Sequence, residues 1–435
     1  MLLSDKASLA WLVGGTRGHP IQGDISKMKM KTVLTKLVAV GVCGTLLLAC
    51  GEGSDSEASS GASDGNCESG DPVKVGGVFN LSGETADSGE FGKTGLELAA
   101  EKLNEDGGIL GRCIELIIKD DANDPTKGAQ AGSQLVEQEE VSLIVGPIVS
   151  PSAGPVLEIA TEAKVPVAFN SLSPVDYEKF PYAFRNVLTT EQIAESFAVY
   201  ASGADLKRVG ILAVNNVFGT TQVDALNAVA DAEGVEVVGT EFFNGGDADL
   251  GPAMRKLANA DPDAVVVVAF GGDAVAALKA RQTVGLADTP VLGFSAISLP
   301  FIAESVGEEG MEGVYVSMQF RRMMREPGAA DITDKNAIAF RDRFAAYRDE
   351  PELTASPTQT SSAYDAMMLL ASAANGAESL DADDIQKYLY ENGYDGVQGK
   401  YSFEPGDHDG VDLADNVLVL ANSLKNGSME IAPGQ

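Results

Sequence analysis

From Val73 onward the chain alternates short apolar, β-branched runs with small polar turns and longer amphipathic stretches. The runs at 73–79, 114–119, 142–146, 165–169, 208–214, 235–243, 264–270 and 290–294 have the length and Val/Ile content of strands buried on both faces. Between them, 89–105, 126–140, 190–203, 219–233, 249–259 and 272–284 carry helical periodicity. This alternation predicts an α/β fold of parallel sheets flanked by helices on both faces. The strand count is high for one sheet, and a break at 181–188 separates two groups of four, so two lobes of similar build are expected. A run at 313–318, helices at 335–348 and 358–374, and closing runs at 401–403 and 417–420 predict more than one crossing between the lobes.

The first seventy residues follow a different pattern. A basic stretch at 28–36 precedes the apolar run 37–49, which ends in Leu47, Leu48 and Ala49 before Cys50. Basic flank, apolar run, small residue and cysteine in that order read as a lipoprotein signal peptide, with Cys50 as the acylated N-terminus. The run is shorter than the about 20 apolar residues a membrane-spanning helix needs. Residues 1–27 add nothing that a secretion signal requires, so translation is expected to start at Met28 or Met30. Residues 50–71 are Gly, Ser and acid with hardly any apolar residue, which reads as a flexible tether.

Composition narrows the chemistry. The 435 residues include 64 acidic and 31 basic ones, a net charge of −33, which argues against a nucleic-acid partner. Residues 1–49 hold six basic and two acidic residues, so their removal leaves 25 and 62, or −37. Only two histidines and four cysteines are present, too few for multi-ligand zinc or haem sites, and no metal or cofactor is expected. Cys43 leaves with the leader and Cys50 carries lipid, so Cys67 and Cys113 remain in an oxidising compartment. They precede and open two strands that can start at the same sheet edge, so a disulfide is expected; two separate buried thiols is the alternative.

In open α/β sheets ligands bind beyond the carboxyl ends of the strands. The first strand is followed by Asn80-Leu81-Ser82-Gly83 and Ala86-Asp87-Ser88-Gly89, and neither G-x-G-x-x-G nor a Walker motif occurs. After the third strand comes Gly146-Pro147-Ile148-Val149-Ser150-Pro151, with Ser150 as helix cap and proline behind it. Such a helix start suits a small carboxylate through free N–H groups and the dipole. Asn170-Ser171-Leu172-Ser173-Pro174 follows the fourth strand, a second hydroxyl-rich turn at the same edge. Each turn alone reads as a plain helix cap; the pair points to a site. No G-x-S-x-G elbow occurs, and a catalytic triad would depend wholly on His408, in the acidic turn 404–410. Most of the acids read as a solvated surface.

Several stretches, in this order, resemble the type I periplasmic solute-binding proteins, the branched-chain amino-acid receptors of ABC transporters. They are Leu81-Ser82-Gly83 with Gly89 and Gly95, 104–111, Asp120-Asp121 with Asp124-Pro125, Ile144-Val145-Gly146, Phe184-Arg185, Phe218-Gly219 and Tyr364-Asp365-Ala366. The resemblance spans about 73–422 and implies two Rossmann-like lobes joined by a three-crossover hinge, a clamp that closes on a small solute for a membrane permease. It implies lobe 1 at 72–186 plus 319–400, lobe 2 at 187–318 plus 401–435, hinge passages at 185–188, 315–317 and 401–403, and a monomeric, non-enzymatic receptor facing the periplasm or cell exterior.

Carried over by position, Ser150 corresponds to the serine that holds a ligand carboxylate, and Ser171 and Ser173 to positions that hold both ligand ends. Ser88 falls where relatives often place an aromatic, and Phe218 and Phe270 at aromatic positions of the second lobe. Ser295 stands where amino-acid-binding members carry an acid for the ligand ammonium. Asp87, Glu90 or Asp273 would then have to supply the missing charge, since a buried ammonium left unpaired is costly. The alternatives are an amide, urea or small organic acid as ligand, or a regulatory lipoprotein that binds a protein partner.

Overall fold

The computed structural model describes residues 66–83, 86–148, 150–172, 174–350 and 357–435. The signal peptide, Met28, Met30, Cys50 and most of the tether lie outside the described residues, as does Ser173.

The first sheet has five strands, β1 (Glu68–Phe79), β2 (Arg112–Asp120), β3 (Leu143–Val145), β4 (Val167–Phe169) and β5 (Ala183–Arg185), in the order β2-β1-β3-β4-β5 and parallel throughout. β5 occupies the first part of the segment read as a break, so the first group has five strands rather than four, and the passage to the second sheet follows Arg185. Three residues with an arginine among them carry too short an apolar signal to read as a strand. All three are nonetheless buried, because β5 hydrogen-bonds along β4. Cys67 and Cys113 sit at the start of β1 and β2, joined as a disulfide with Cα atoms 5.2 Å apart.

The sheet is covered by α1 (Ala86–Glu105), α2 (Pro125–Ser133) and α3 (Ser150–Glu162), with α10 and α11 arriving later in the chain. Asp124 caps α2, accepting the Thr126 and Lys127 N–H groups at 2.9 and 3.0 Å, with Pro125 at the first position. The helix read as 126–140 runs on from α2 only as a π turn, Gln134–Gln138.

The second sheet follows α4 (Thr190–Gly203) and contains β6 (Arg208–Val214), β7 (Glu236–Phe243), β8 (Ala264–Val268), β9 (Val291–Phe294) and β10 (Val314–Met318). Its helices are α5 (Val217–Ala230), α6 (Gly251–Asn259), α7 (Gly271–Thr283) and α8 (Pro300–Met311). β8 shows why the strands read as unbroken apolar runs: all five of its residues, AVVVV, are buried, as a central parallel strand under helices on both faces requires.

The chain then returns to the first sheet through α9 (Lys335–Arg348), α10 (Thr358–Ala377) and α11 (Ala382–Asn392). α1 and α10 lie so close that a Cβ at Gly95 would stand 2.1 Å from the Thr360 carbonyl oxygen. A short antiparallel pair, β11 (Tyr394–Asp395) and β12 (Lys400–Tyr401), precedes β13 (Val417–Leu420), which joins the second sheet antiparallel to β10. The order there is β13-β10-β9-β8-β6-β7. Residues 315–317, expected at the hinge, lie inside β10, so the second passage starts after Met318.

Candidate functional site

The three passages between the sheets are tied together by side-chain amides. The Leu188 N–H donates to Gln319 Oε1 at 2.8 Å, joining the segment after β5 to the segment after β10. Gln319 Nε2 lies 3.5 Å from Gln398 Oε1, on the third passage. Gln398 in turn donates through Nε2 to Ser361 Oγ at 2.8 Å and through its backbone N–H to Asp365 Oδ2 at 2.9 Å, both on α10. These links leave from the ends of β5 and β10, so the carboxyl ends of one strand from each sheet lie side by side.

On the first sheet, β3 is followed by Gly146, whose φ of 93° is the region glycine favours; a Cβ there would lie 2.3 Å from the Val78 carbonyl oxygen. The turn leads to Ser150, the first residue of α3, whose side chain lies outside the described part. The Asn170 N–H donates to the Pro147 carbonyl at 3.2 Å, fastening the turn after β4 to the turn after β3. Asn170 Nδ2 also donates to Asn186 Oδ1 at 2.8 Å.

Ser171 is fully buried, and its carbonyl accepts Arg185 Nη1 at 2.6 Å. Arg185, only 2% exposed, pairs through Nε with Asp409 at 2.7 Å and lies over the Phe169 ring at 5.1 Å. Tyr177 donates its hydroxyl to Asp409 as well. The sequence marked Phe184-Arg185 by resemblance and put Arg185 at the start of a hinge passage, but gave its side chain no partner; Asp409 stands far away in the chain.

Asp120 accepts the Leu81 and Ala122 N–H groups, each at 2.8 Å. Burial would raise its pKa, but these bonds and one from the Ser82 hydroxyl hold it below the usual value. Ser88, in the first turn of α1, is exposed.

The second sheet presents aromatic rings. Asn216 caps α5 by accepting the Gly219 N–H at 3.0 Å, which places Phe218 in the first turn. Phe270 precedes α7, and Ser295 follows β9 at the start of a 3₁₀ turn. The Phe218 and Phe270 rings lie 4.6 Å apart. Phe294, not anticipated as part of the site, meets Phe218 edge-on at 5.2 Å and Phe270 at 6.0 Å, and packs inward on Phe197 at 5.5 Å. Ser295, expected as a direct ligand position, is partly buried, and its carbonyl accepts the Ser298 hydroxyl at 2.6 Å.

His408, within the acidic turn 404–410, is only 1% exposed, and burial pushes its pKa down. As a neutral ring it donates Nδ1–H to the Ala183 carbonyl at 2.8 Å and accepts the Tyr390 hydroxyl at Nε2, 2.6 Å away. It is a strut between β5 and the third passage. Among the described residues no cluster of three or more His, Cys, Asp or Glu side chains is placed to hold a metal ion, and no helix is long and apolar enough to cross a membrane.

Two mostly parallel sheets flanked by helices and joined by three passages, with amide-rich turns on one and phenyl rings on the other, are the architecture of a two-lobed α/β binding protein. The chain belongs to the periplasmic binding protein family, whose model matches residues 72–414. The Leu/Ile/Val-binding protein BraC3 of Rhizobium johnstonii is 30% identical over 233 residues, 52% of this chain and 62% of that protein, so the match spans about three fifths of the relative's length. A leucine-, isoleucine-, valine-, threonine- and alanine-binding protein of Pseudomonas aeruginosa is 26% identical over 78% of this chain and 87% of its own. The fold also matches the branched-chain amino-acid transporter substrate-binding protein LivJ of Streptococcus pneumoniae, solved with isoleucine, with a TM-score of 0.69 at 25% identity, covering 83% of this chain and 99% of that one. Members of the family are substrate-binding proteins rather than enzymes, and the family implies a place outside the cytoplasm.

Proposed function

We propose that this protein is the lipid-anchored receptor of an ABC importer, holding a small carboxylate-bearing or amino-acid-like solute between two lobes and presenting it to permease subunits in the membrane. The lobes are 72–186 plus 319–410 and 187–318 plus 411–435, the last boundary moved from the expected 401 because His408 and Gly410 hydrogen-bond to Arg185 of β5, and the receptor works as a monomer. The observation that supports this reading is the Leu188–Gln319 hydrogen bond, which ties together the passages leaving the ends of β5 and β10, beside a Phe218–Phe270 ring pair at the carboxyl edge of the second sheet. Ser150, Ser171 and Ser173 hold the carboxylate, with the start of α3 adding its free N–H groups. Phe218 and Phe270 contact the apolar part, and Ser88 and Ser295 border it. Hinge bending at the three passages closes the clamp.

The test is thermal stabilisation of the mature chain by a panel of amino acids, amides, urea and small organic acids. Ser150→Ala combined with Ser173→Ala is expected to abolish stabilisation by any solute that works, with the ligand-free melting point nearly unchanged. Stabilisation that persists in the double variant would remove these serines from the pocket.

Acylation at Cys50 fixes the protein to a membrane, and the Cys67–Cys113 bridge forms after export. Intact mass of the membrane-extracted protein, before and after reduction and alkylation, reads both features at once. A mature N-terminus elsewhere than residue 50, or two thiols that alkylate without reduction, would reject the corresponding feature.

A further inference from the structure

Taking the pocket proposed between the two lobes as the solute site, we infer that its ligand is an aromatic carboxylate without an ammonium group, of the benzoate class. The first ground is the shape of the aromatic wall. Phe197 and Phe294 are 1% and 4% exposed, Phe218 is half-buried, and Phe270 is 45% exposed at the carboxyl edge of the second sheet. The rings form a continuous stack from the core to solvent, each touching the next between 4.6 and 5.5 Å. Phe218 and Phe270 pack on each other, so they leave no cage for a cation between them; what is offered is the outer face of an already supported ring. A flat ring placed there gains offset or edge contacts without reordering the protein. A phenylalanine wall has no hydroxyl to steer a polar substituent.

The second ground is where the nearby carboxylates go. The residue after β9 is Ser295, with no charge. Asp273, in the first turn of α7 beside Phe270, accepts the Gly246 N–H through Oδ1 at 2.8 Å. Asp247, in the same loop after β7, accepts the Asn244 N–H at 2.9 Å. On the first sheet's side, Glu90 of α1 pairs with Lys93 at 3.6 Å and is solvent-exposed. Asp120 is occupied by two backbone N–H groups. Each of these acids already has part of its charge engaged by a backbone N–H or a lysine, and none replaces the carboxylate missing at Ser295, so an ammonium desolvated there is disfavoured. The side chain of Asp87 lies outside the described residues, and the experiment decides its part.

The experiment is calorimetric titration of the mature chain with benzoate, L-phenylalanine and L-leucine, beside the thermal panel above. Benzoate and phenylalanine share the ring and the carboxylate, but only phenylalanine carries the ammonium. Benzoate is expected to bind at least about tenfold more tightly than either amino acid. Phe270→Ala is expected to weaken benzoate by about tenfold, the size of one lost aromatic contact. The ring is already half in solvent, so the ligand-free melting point should hold. Phenylalanine or leucine binding as tightly as benzoate, or benzoate binding untouched by Phe270→Ala, overturns the ligand class and leaves the receptor reading intact. A chain silent to every solute of the panel overturns both.

Discussion

Arg185 shows how a residue outside the ligand contacts can set their geometry. Its guanidinium holds the Ser171 carbonyl, the Asp409 carboxylate and the face of Phe169 together, all from a side chain 2% exposed. Lysine could not copy this, because a point charge has neither the fork nor the flat face. Arg185→Met is expected to cost about 3 kcal/mol, mostly through the carbonyl and carboxylate left without their donor. Urea unfolding measures this, and a loss under about 1 kcal/mol would show that the cluster is incidental. Ser171, beside it, drew notice in the sequence because hydroxyl turns after strands are a local signal. The role of Arg185 was not legible, since Tyr177, Ser171 and Asp409 reach it through the fold. The structural part of His408 was hidden for the same reason: its partners Ala183 and Tyr390 reach it through the fold.

Among the elements, long strands and helices were readable and short ones were not. The helices 335–348 and 190–203 fall where their periodicity placed them, whereas β5, α8 and α11 went unread. The Tyr364-Asp365-Ala366 stretch of α10 was noticed only through resemblance, yet it secures the third passage. Asp365 accepts the Val397 and Gln398 N–H groups and the Tyr401 hydroxyl, each at 2.9 Å. Desolvation outweighs these donors and raises its pKa from 3.8 to about 6. The folded state therefore binds this proton more tightly than the unfolded chain. The resulting stability is fully present below about pH 3.8 and is lost as pH rises through about 6. The wild-type minus Asp365→Asn difference in unfolding free energy should fall by about 2–3 kcal/mol between pH 4 and pH 7. A difference that stays flat over that range would mean the carboxylate is better solvated than its burial indicates.

For the whole molecule, alternation of strands and helices carried the two-sheet architecture, while the passages did not announce themselves: Gln319 and Gln398 are ordinary polar residues until the fold brings them together. Net charge is a property at this scale too. At −37 after leader removal, with the bonded acids near the pocket satisfied within the protein, the charge acts mainly as surface self-repulsion. Raising sodium chloride from about 0.05 to 1 M, where the Debye length falls to about 3 Å, should raise the melting temperature steadily. A melting point that falls with salt would mean that ion pairs such as Arg185–Asp409 outweigh the repulsion.

The placement of β13 bears on how such a chain is made. β10 receives its antiparallel neighbour from residues 417–420, and α10, which covers the first sheet, comes from 358–377. Neither half can close its core from its own contiguous stretch. A chain emerging from a membrane pore, amino end first, therefore has no finished half to lock in place until nearly all of it has crossed, and threading meets little folded resistance.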